Sequence, residues 1–175
     1  MKIILLLTCF LSSYAYPSFN KNCKKLNRCA EFISKELGVN FLLPKKFDSK
    51  ISYTKGKEIK KEQYLNIFDH ILYQNGFAKI KIDNSNYRIV NARDMRYEAH
   101  PQIEVSKENF KEKIPNTYSY VRVVMHAKSN DEIESFVKNS RPFLSRYGRI
   151  VNNNKNHTVV IQDTGVHARS MLGNF

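Results

Sequence analysis

Residues 60–82 read KKEQYLNIFDHILYQNGFAKIKI and join a helix to a strand within one short segment. The apolar residues of the first half recur at i, i+4, i+7 and i+8, which is the spacing of one helix face; they are Tyr64, Phe68, Ile71 and Leu72. Asn75-Gly76 provides the left-handed residue that ends such a helix. A strand-like run follows over residues 77–82, so the segment predicts a fold that mixes helices with a sheet.

Another helix is predicted over residues 24–37, where apolar residues form one stripe and Gly38 follows as the helix end. The predicted strands of this part of the chain are short extended segments; they cover residues 18–20, 39–43, 51–54, 77–82 and 87–90. The resulting order, β-α-β-β-α-β-β, predicts an α+β sandwich with helices against a sheet. We assign residues 16–95 to this first domain.

Residues 96–116 contain two prolines and many charges without a sustained period, which predicts a linker. Residues 117–175 then predict a second, β-α-β-β-α domain. Its first helix begins after Ser129, with Glu132 completing a capping box, and Pro142 bends or ends it. The strands and the last helix are predicted at residues 118–125, 149–152, 158–162 and 163–175. Both domains are small, so each is expected to gain stability from packing against a neighbour.

The first fifteen residues read as a secretory signal peptide. Lys2 precedes an apolar core over residues 3–11, and Ser13-Tyr14-Ala15 fits a small-x-small cleavage site. This segment is too short to span a bilayer as a mature helix, and no other segment is apolar enough to do so. We therefore expect cleavage after Ala15 and an exported protein without a membrane span; a lipid anchor on Cys9 and a mitochondrial transit peptide fit these residues less well.

Two cysteines follow the predicted cleavage site, in a compartment where disulfides form. Within one continuous helix, Cys23 and Cys29 would be separated by a rise of about 9 Å, which is beyond disulfide reach. A disulfide therefore requires Cys23 to precede the helix. The alternative is that Cys29 is a core residue of the apolar stripe, and the sequence leaves both interpretations open.

The net charge of +13 would suit a protein that binds nucleic acid. The basic residues are dispersed along the chain as single residues and pairs, however, and acidic residues lie between most of them. Export also argues against a nucleic-acid partner. The charge therefore predicts a solvated basic surface, with an acidic protein partner or an anionic membrane surface as the alternatives.

Motifs typical of catalysis or cofactor binding are missing from the sequence. The five histidines lie in no metal-binding spacing, and the sequence has neither a glycine-rich phosphate loop nor a nucleophile elbow. His70 fits a partly buried structural histidine, and Asp163 fits the cap of the last helix. The β-α-β-β-α order resembles KH modules, but the G-x-x-G loop that binds nucleic acid in them is absent. We therefore predict no enzymatic activity, no cofactor and no metal.

Several of these segments resemble the first amino-terminal domain of secretins, the outer-membrane pores of type II secretion systems. The residues that carry the resemblance are Glu62-Gln63-Tyr64, Phe68, Gly76-Phe77-Ala78, Phe19-Asn20, Gly38 and the VNFLL strand. Residues 120–164 resemble the next domain of that family, a KH-like domain that builds the ring, and include its TVVIQD strand. The resemblance covers essentially the whole chain after the signal peptide.

The resemblance implies a periplasmic protein associated with an outer-membrane secretin complex. It implies that the first domain contacts the inner-membrane platform protein and exported substrates, and that the second packs against secretin subunits or copies of itself in a ring. Sheet edges favour such contacts, because their free backbone groups can pair with another strand. We predict a protein-binding site on the edges formed by Phe19, Asn20, Ile51, Ser52, Tyr53 and Thr54. The alternative is that Phe19, Ile51 and Tyr53 fill the core.

The chain also departs from the family pattern. It has Pro44-Lys45, Ser49 and His157 where the family usually has Asp-Pro, glycine and asparagine. It ends inside the last predicted helix, without the pore-forming part of a secretin. We therefore expect either a separately encoded periplasmic module or a non-functional remnant of a truncated gene. A signalling domain of TonB-dependent transducers shares the first-domain fold and is an alternative, although the second domain argues against it.

Overall fold

The structure is a computed structural model that describes residues 18–52, 57–98 and 102–174. The predicted signal peptide lies outside these residues, as do Tyr53, Thr54 and His100. Within the described part of the chain, no helix is both long and apolar enough to cross a membrane.

The two apolar stripes of the first domain form helices at the predicted positions. Helix α2 (Leu26–Leu37) ends at Gly38, whose backbone has a left-handed φ of 67° and whose N–H donates to the Ser34 carbonyl. Helix α3 (Tyr64–Gln74) is followed by Gly76, with a φ of 77°. Both helices turn their apolar faces into one core, because their stripes keep the helical period. The buried residues of the two stripes are Leu26, Cys29, Ala30, Ile33, Tyr64, Phe68, Ile71 and Leu72.

Three strands form the sheet of the first domain, in the order β1-β3-β2. They are β1 (Asn40–Leu42), β2 (Phe77–Lys81) and β3 (Asn86–Asn91). β3 pairs in parallel with β1 and antiparallel with β2. One face of this sheet packs on the helices through Phe41, whose ring centroid lies 5.3 Å from that of Phe68.

Residues 18–20, which the sequence predicts to be extended, instead begin the short helix α1 (Phe19–Asn22). Phe19 is 1% exposed, and its ring centroid lies 5.0 Å from that of Tyr64 and 6.0 Å from that of Phe32. The helical turn lets this ring reach the core between α2 and α3. Four residues are too few to show a helical period, which is why the sequence pattern does not reveal the helix.

The described part of the predicted strand at residues 51–54 forms no strand; the residue before it, Lys50, makes a single antiparallel bridge with Lys25. The Ile51 N–H donates to the Lys24 carbonyl, and the Leu26 N–H donates to the Ser49 carbonyl. This pairing holds the start of α2 against residues 49–51. Residues 51 and 52 extend no further ladder.

Cys23 and Cys29 form a disulfide. Cys23 lies at the end of α1 and precedes α2, so the backbone bend brings the two Cα atoms to 4.0 Å. Both side chains are fully buried at 0% exposure. The disulfide is therefore also part of the core, which combines the two interpretations that the sequence leaves open.

The second domain has the predicted β-α-β-β-α order. Its elements are β5 (Tyr120–His126), α5 (Asn130–Ser140), β6 (Arg149–Asn153), β7 (Thr158–Thr164) and α6 (Gly165–Gly173). The Ser129 hydroxyl accepts the Glu132 N–H, so Ser129 caps the helix as predicted, but the Glu132 carboxylate accepts the N–H of Lys128 rather than that of Ser129. Helix α5 ends before Pro142, which lies in the 3₁₀ helix Arg141–Phe143. The α+β class with two small domains is therefore confirmed.

The prediction of an unstructured linker is wrong for much of residues 102–116, which belong to the second domain. Strand β4 (Gln102–Val105) pairs in parallel with β5 and extends the sheet to the order β4-β5-β7-β6. Helix α4 (Phe110–Lys113) follows, and Val105, Phe110 and Ile114 are buried in the second core. Each element carries only one or two core residues among charged ones, which is too short a pattern to predict from sequence.

Candidate functional site

The residues predicted to bind a partner are divided between the core and an open groove. Phe19 is 1% exposed and Asn20 is half-buried, and both belong to α1. The prediction that they form an exposed sheet edge is therefore wrong, because the helix turns Phe19 into the core. Its side chain offers nothing to a partner.

Ile51 and Ser52 line a groove of about 360 Å³ between α3 and the second domain. The groove has apolar side chains, such as Ile67 from α3 and Val166 from α6, and an amide from Asn116. Ile51 is half-buried and Ser52 is exposed. Tyr53 and Thr54 lie outside the described residues. Of the predicted binding residues, Ile51 and Ser52 therefore remain as candidates, and both line a groove to which both domains contribute.

A buried ion pair marks the contact between the two domains. Asp69 of α3 and Lys79 of β2 lie 3.0 Å apart (Oδ1 to Nζ), and their side chains are 3% and 8% exposed. Ser119, from the second domain, donates its hydroxyl to Oδ2 of Asp69. The Lys79 ammonium also lies 4.8 Å from the ring centroid of Tyr87. The ion pair itself lies within the first domain, and the Ser119 hydrogen bond to its carboxylate is the contact that joins the two domains.

Aromatic rings continue the junction beside the ion pair. The ring centroid of Tyr118 lies 4.3 Å from that of His70 and 5.1 Å from that of Tyr73. Tyr73 in turn lies 5.6 Å from His167 of α6. Burial raises the pKa of Tyr73, and the negative charge of Asp163 adds to the rise. The Tyr73 phenol therefore stays protonated at neutral pH. His70 is half-buried against Tyr118, which is the partly buried, structural position that the sequence predicts.

Asp163 is the most buried carboxylate of the second domain, at 0% exposure. Its two oxygens accept the N–H groups of Ser145, at 2.8 Å, and of Thr164, at 2.6 Å. Burial raises its pKa despite these donors. The prediction that Asp163 caps the last helix is wrong, because the Thr164 side chain accepts the His167 N–H instead. Asp163 thus fixes the loop before β6 to the end of β7.

A small apolar core also lies between the domains. It contains buried residues of the first domain and half-buried rings of the second, namely Ala78, Ile80, Ala92, Met95, Tyr120 and Tyr147. A Cβ atom at Gly76 would lie 3.1 Å from the Tyr147 hydroxyl, so the backbone of the first domain closely approaches this ring. Burial raises the pKa of Tyr120. Ionic, aromatic and apolar contacts therefore all contribute to the junction.

The outer strands are the remaining candidates for contact with another chain. In the first sheet, β1 is an outer strand, and Leu42 at its end is 59% exposed, with Leu43 at 42%. In the second sheet, β4 and β6 are the outer strands. An outer strand with exposed apolar residues is suited to pair with a strand of a partner. The position of β1 at the edge of its sheet is not visible in the sequence, because the order of strands depends on tertiary pairing.

No group of three or more His, Cys, Asp and Glu residues is placed to hold a metal ion in the part of the chain that the structure describes. The buried carboxylates at the junction accept hydrogen bonds or pair with cations of the chain itself. The chemistry of this region is that of a structural contact with a groove beside it.

Residues 20–89 match a sequence family described as GspD-like, N0 domain. No curated protein sequence gives a significant match. Among solved structures, the chain is similar to one in the Klebsiella pneumoniae type II secretion system outer membrane complex, which contains PulD, PulS and the PulC HR domain. The TM-score is 0.66 at 15% identity, and the alignment covers 87% of this chain and 25% of that chain. At this identity the similarity concerns the fold.

Two further structures match at lower TM-scores. The amino-terminal domain of the secretin XcpQ from Pseudomonas aeruginosa aligns at 12% identity over 87% of this chain and 60% of that chain, with a TM-score of 0.35. The GspC–GspD complex of enterotoxigenic Escherichia coli aligns at 12% identity over 86% and 89%, with a TM-score of 0.31. This chain spans 60% of the length of the XcpQ chain and a quarter of the Klebsiella chain.

Proposed function

The chain resembles the amino-terminal domains of type II secretins, and we propose that it is a periplasmic secretin-type module that docks onto other components of a type II-like secretion apparatus. The observation that carries the proposal is the match of residues 20–89 to the GspD-like N0 domain. The fold similarity to the Klebsiella chain covers 87% of this chain and so includes the second domain. The second domain makes a TonB-type signalling domain a poorer explanation.

A periplasmic location is supported by the Cys23–Cys29 disulfide, since disulfides form and persist in that compartment. The signal peptide predicted at residues 1–15 agrees with it. Association with an outer-membrane secretin complex follows from the same family resemblance and belongs to the proposal.

Two kinds of partner are proposed for the two kinds of surface. The first domain contacts the periplasmic part of the inner-membrane platform protein through the groove lined by Ile51 and Ser52, with Tyr53 and Thr54 as further contacts. The second domain packs laterally against secretin subunits or copies of itself through its outer strands β4 and β6. Secreted proteins are a third class of partner for the first domain.

The junction supports docking because it presents both domains together. The Asp69–Lys79 pair and Ser119 join α3 to the start of β5 beside the groove. A partner in the groove therefore touches both domains, through Ile67 of the first and Val166 of the second. Such a pre-organised surface lowers the ordering cost of binding.

A pull-down from detergent-solubilised envelopes tests the proposal, with the tagged full chain as bait and the platform protein's periplasmic domain and the secretin as the proteins to be detected. Ser52→Arg places a large cation in the groove and is expected to reduce recovery of the platform protein at least about tenfold. Ser135→Arg is the matched control, because Ser135 is an exposed serine on α5 away from the groove.

Recovery of neither protein by the unmodified chain would refute the proposed function. Equal loss in the two arginine variants would refute the groove as the docking surface while leaving the docking role intact. A chain that cannot be detected as an intact protein in the cell would instead indicate a remnant gene.

A further inference from the structure

A second groove has a volume of about 410 Å³, and the described residues that line it include four arginines and no acidic residue. Two of them, Arg93 and Arg96, belong to the 3₁₀ helix Ala92–Tyr97 at the end of the first domain. The other two, Arg146 and Arg149, come from the loop before β6 and from its first residue. All four side chains are exposed. Neither domain alone contains this arrangement, because each supplies half of the cations.

The sheet of the second domain explains why the arginines converge. Arg149 of β6 lies directly across from Gln162 of β7, which lies across from Arg122 of β5, so the three side chains share one face of the sheet. The 3₁₀ helix of the first domain covers the Tyr120 end of that same face, since Ala92 and Met95 pack in one cluster with Tyr120. Arg122 lies on the same face of the sheet as Arg149, two strands away, and its Nε is buried.

In the described part of the chain, no carboxylate forms an ion pair with the guanidinium groups of the groove. Some cations elsewhere have carboxylate partners, as in Lys25–Asp48 and Arg88–Glu98. Two of the four arginines of the groove lie beside tyrosine rings instead, Arg96 at 4.8 Å from Tyr97 and Arg146 at 5.6 Å from Tyr147. Such stacking holds a guanidinium in place while leaving its N–H donors available.

We propose that this arginine groove binds an acidic segment of a protein partner, with Asp or Glu carboxylates accepting paired N–H donors from Arg93, Arg96, Arg146 and Arg149. The planar guanidinium group matches a carboxylate in two-point geometry, which a lysine cluster would not. The groove is concave and lies at the domain junction, so it admits side chains of a peptide, whereas a flat bilayer surface cannot enter it. An extended acidic segment therefore fits the groove better than an anionic membrane does.

This inference deepens the proposed docking function and rests on it for the identity of the partner as a protein. The arginine groove differs from the groove lined by Ile51 and Ser52 in its position and in its chemistry. The groove lined by Ile51 and Ser52 offers apolar and amide contacts, whereas the described lining of the arginine groove is the four arginines with Tyr147 and Gly148. A partner that engages both would be held by an apolar anchor and by charge, and only the second contribution would depend strongly on salt.

Fluorescence anisotropy with a labelled ten-residue peptide of alternating Asp and Glu tests the inference on the purified full chain. We expect saturable binding at low ionic strength that weakens at least about tenfold when salt is raised from 20 to 200 mM. Arg93→Glu/Arg96→Glu is expected to weaken binding by more than about tenfold. The affinity of the neutral Arg93→Gln/Arg96→Gln variant for the peptide should lie between that of the unmodified chain and that of the Arg93→Glu/Arg96→Glu variant. Lys45→Glu/Lys46→Glu is the matched control, since it changes the net charge equally at exposed residues outside the groove.

Circular dichroism melting of each variant confirms that its fold is retained before binding is compared. Equal weakening in the Arg93/Arg96 and Lys45/Lys46 variants would overturn the inference, because binding would then follow net charge alone. Tighter, Arg93/Arg96-dependent binding of phosphatidylglycerol vesicles or of a ten-residue single-stranded oligonucleotide would overturn it as well. If the unmodified chain fails to bind the peptide but still recovers the platform protein in the pull-down, the arginine-groove inference is refuted and the proposed function is not.

Discussion

Replacing Asp69 by asparagine is expected to destabilise the two domains together. The amide keeps the shape of the side chain, and its carbonyl oxygen can still accept the Ser119 hydroxyl. It no longer balances the Lys79 ammonium, which is 8% exposed and lies 3.0 Å from the carboxylate in the native protein. The variant therefore leaves a buried cation without its counter-charge.

The expected loss is about 3–5 kcal/mol, the usual result of removing one partner of a buried pair. Small domains are stable by only about 5–15 kcal/mol in total, so the Asp69→Asn substitution should remove from about a fifth to all of that stability. Lys79→Met should be similarly harmful, because it strands the carboxylate. The Asp69→Asn/Lys79→Met double variant should be more stable than either single variant by about 2 kcal/mol, since it buries no unpaired charge.

Urea unfolding followed by far-ultraviolet circular dichroism and by tyrosine fluorescence measures these differences; the chain has ten tyrosines and no tryptophan. Asp48→Asn is the control, because the Lys25–Asp48 pair has side chains 49% and 51% exposed and such pairs contribute about 0–1 kcal/mol. The reasoning would be refuted if Asp69→Asn cost no more than Asp48→Asn, or if the costs of the two single variants simply added in the double variant.

Three further predictions concern stability, each measured by urea unfolding. Cys23→Ala/Cys29→Ala should lower the free energy of unfolding by about 2 kcal/mol, because the disulfide closes a short loop with a sequence separation of six; an unchanged midpoint would contradict this. Gly165→Ala should cost about 3 kcal/mol, because its Cβ would lie 2.0 Å from a backbone carbonyl oxygen, whereas Gly173→Ala meets nothing within 4 Å and should be nearly neutral. Burial raises the folded-state pKa of Asp163 above its ordinary 3.8, so the stability that this carboxyl contributes is present below that pH and is lost as the pH rises through the folded pKa. The stability advantage of the native protein over Asp163→Asn should therefore shrink as the pH is raised from about 4, and an advantage that stays constant or grows would count against it.

The sequence predicted the elements whose residues repeat over several turns or alternate over a whole strand. Helices α2 and α3 have stripes long enough to show the period, and Gly38 and Gly76 end them with a positive φ that glycine adopts at little cost. Strands β5 and β7 each contain three consecutive apolar residues, Val123–Met125 and Val159–Ile161, and both strands lie inside the second sheet. The elements that were missed, α1, β4 and α4, have four residues each. Their formation depends on Phe19 and Phe110 reaching cores that other elements build.

The candidate site was less predictable, because its residues are far apart along the chain. Ile51 and Ser52 were placed on a strand edge, but the structure places them beside α6 across a domain boundary. The arginine groove combines Arg93 and Arg149, and no local pattern relates the two. One signal was present in the sequence, namely a charge of +13 that its acidic residues do not balance. Only the packing of the 3₁₀ helix Ala92–Tyr97 against the second sheet turns that excess into a defined surface.

The contact of Asp69 with Ser119 has a consequence for how such chains evolve. Domains joined by a solvated tether can be exchanged between proteins one at a time, because neither depends on the side chains of the other. Here a transplanted first domain would bring the Asp69–Lys79 pair and Gly76 to a neighbour without Ser119 or the Tyr147 ring. We therefore expect these positions to be inherited as a unit, so that Asp69 with Ser119, and Gly76 with Tyr147, change together among descendants of this gene.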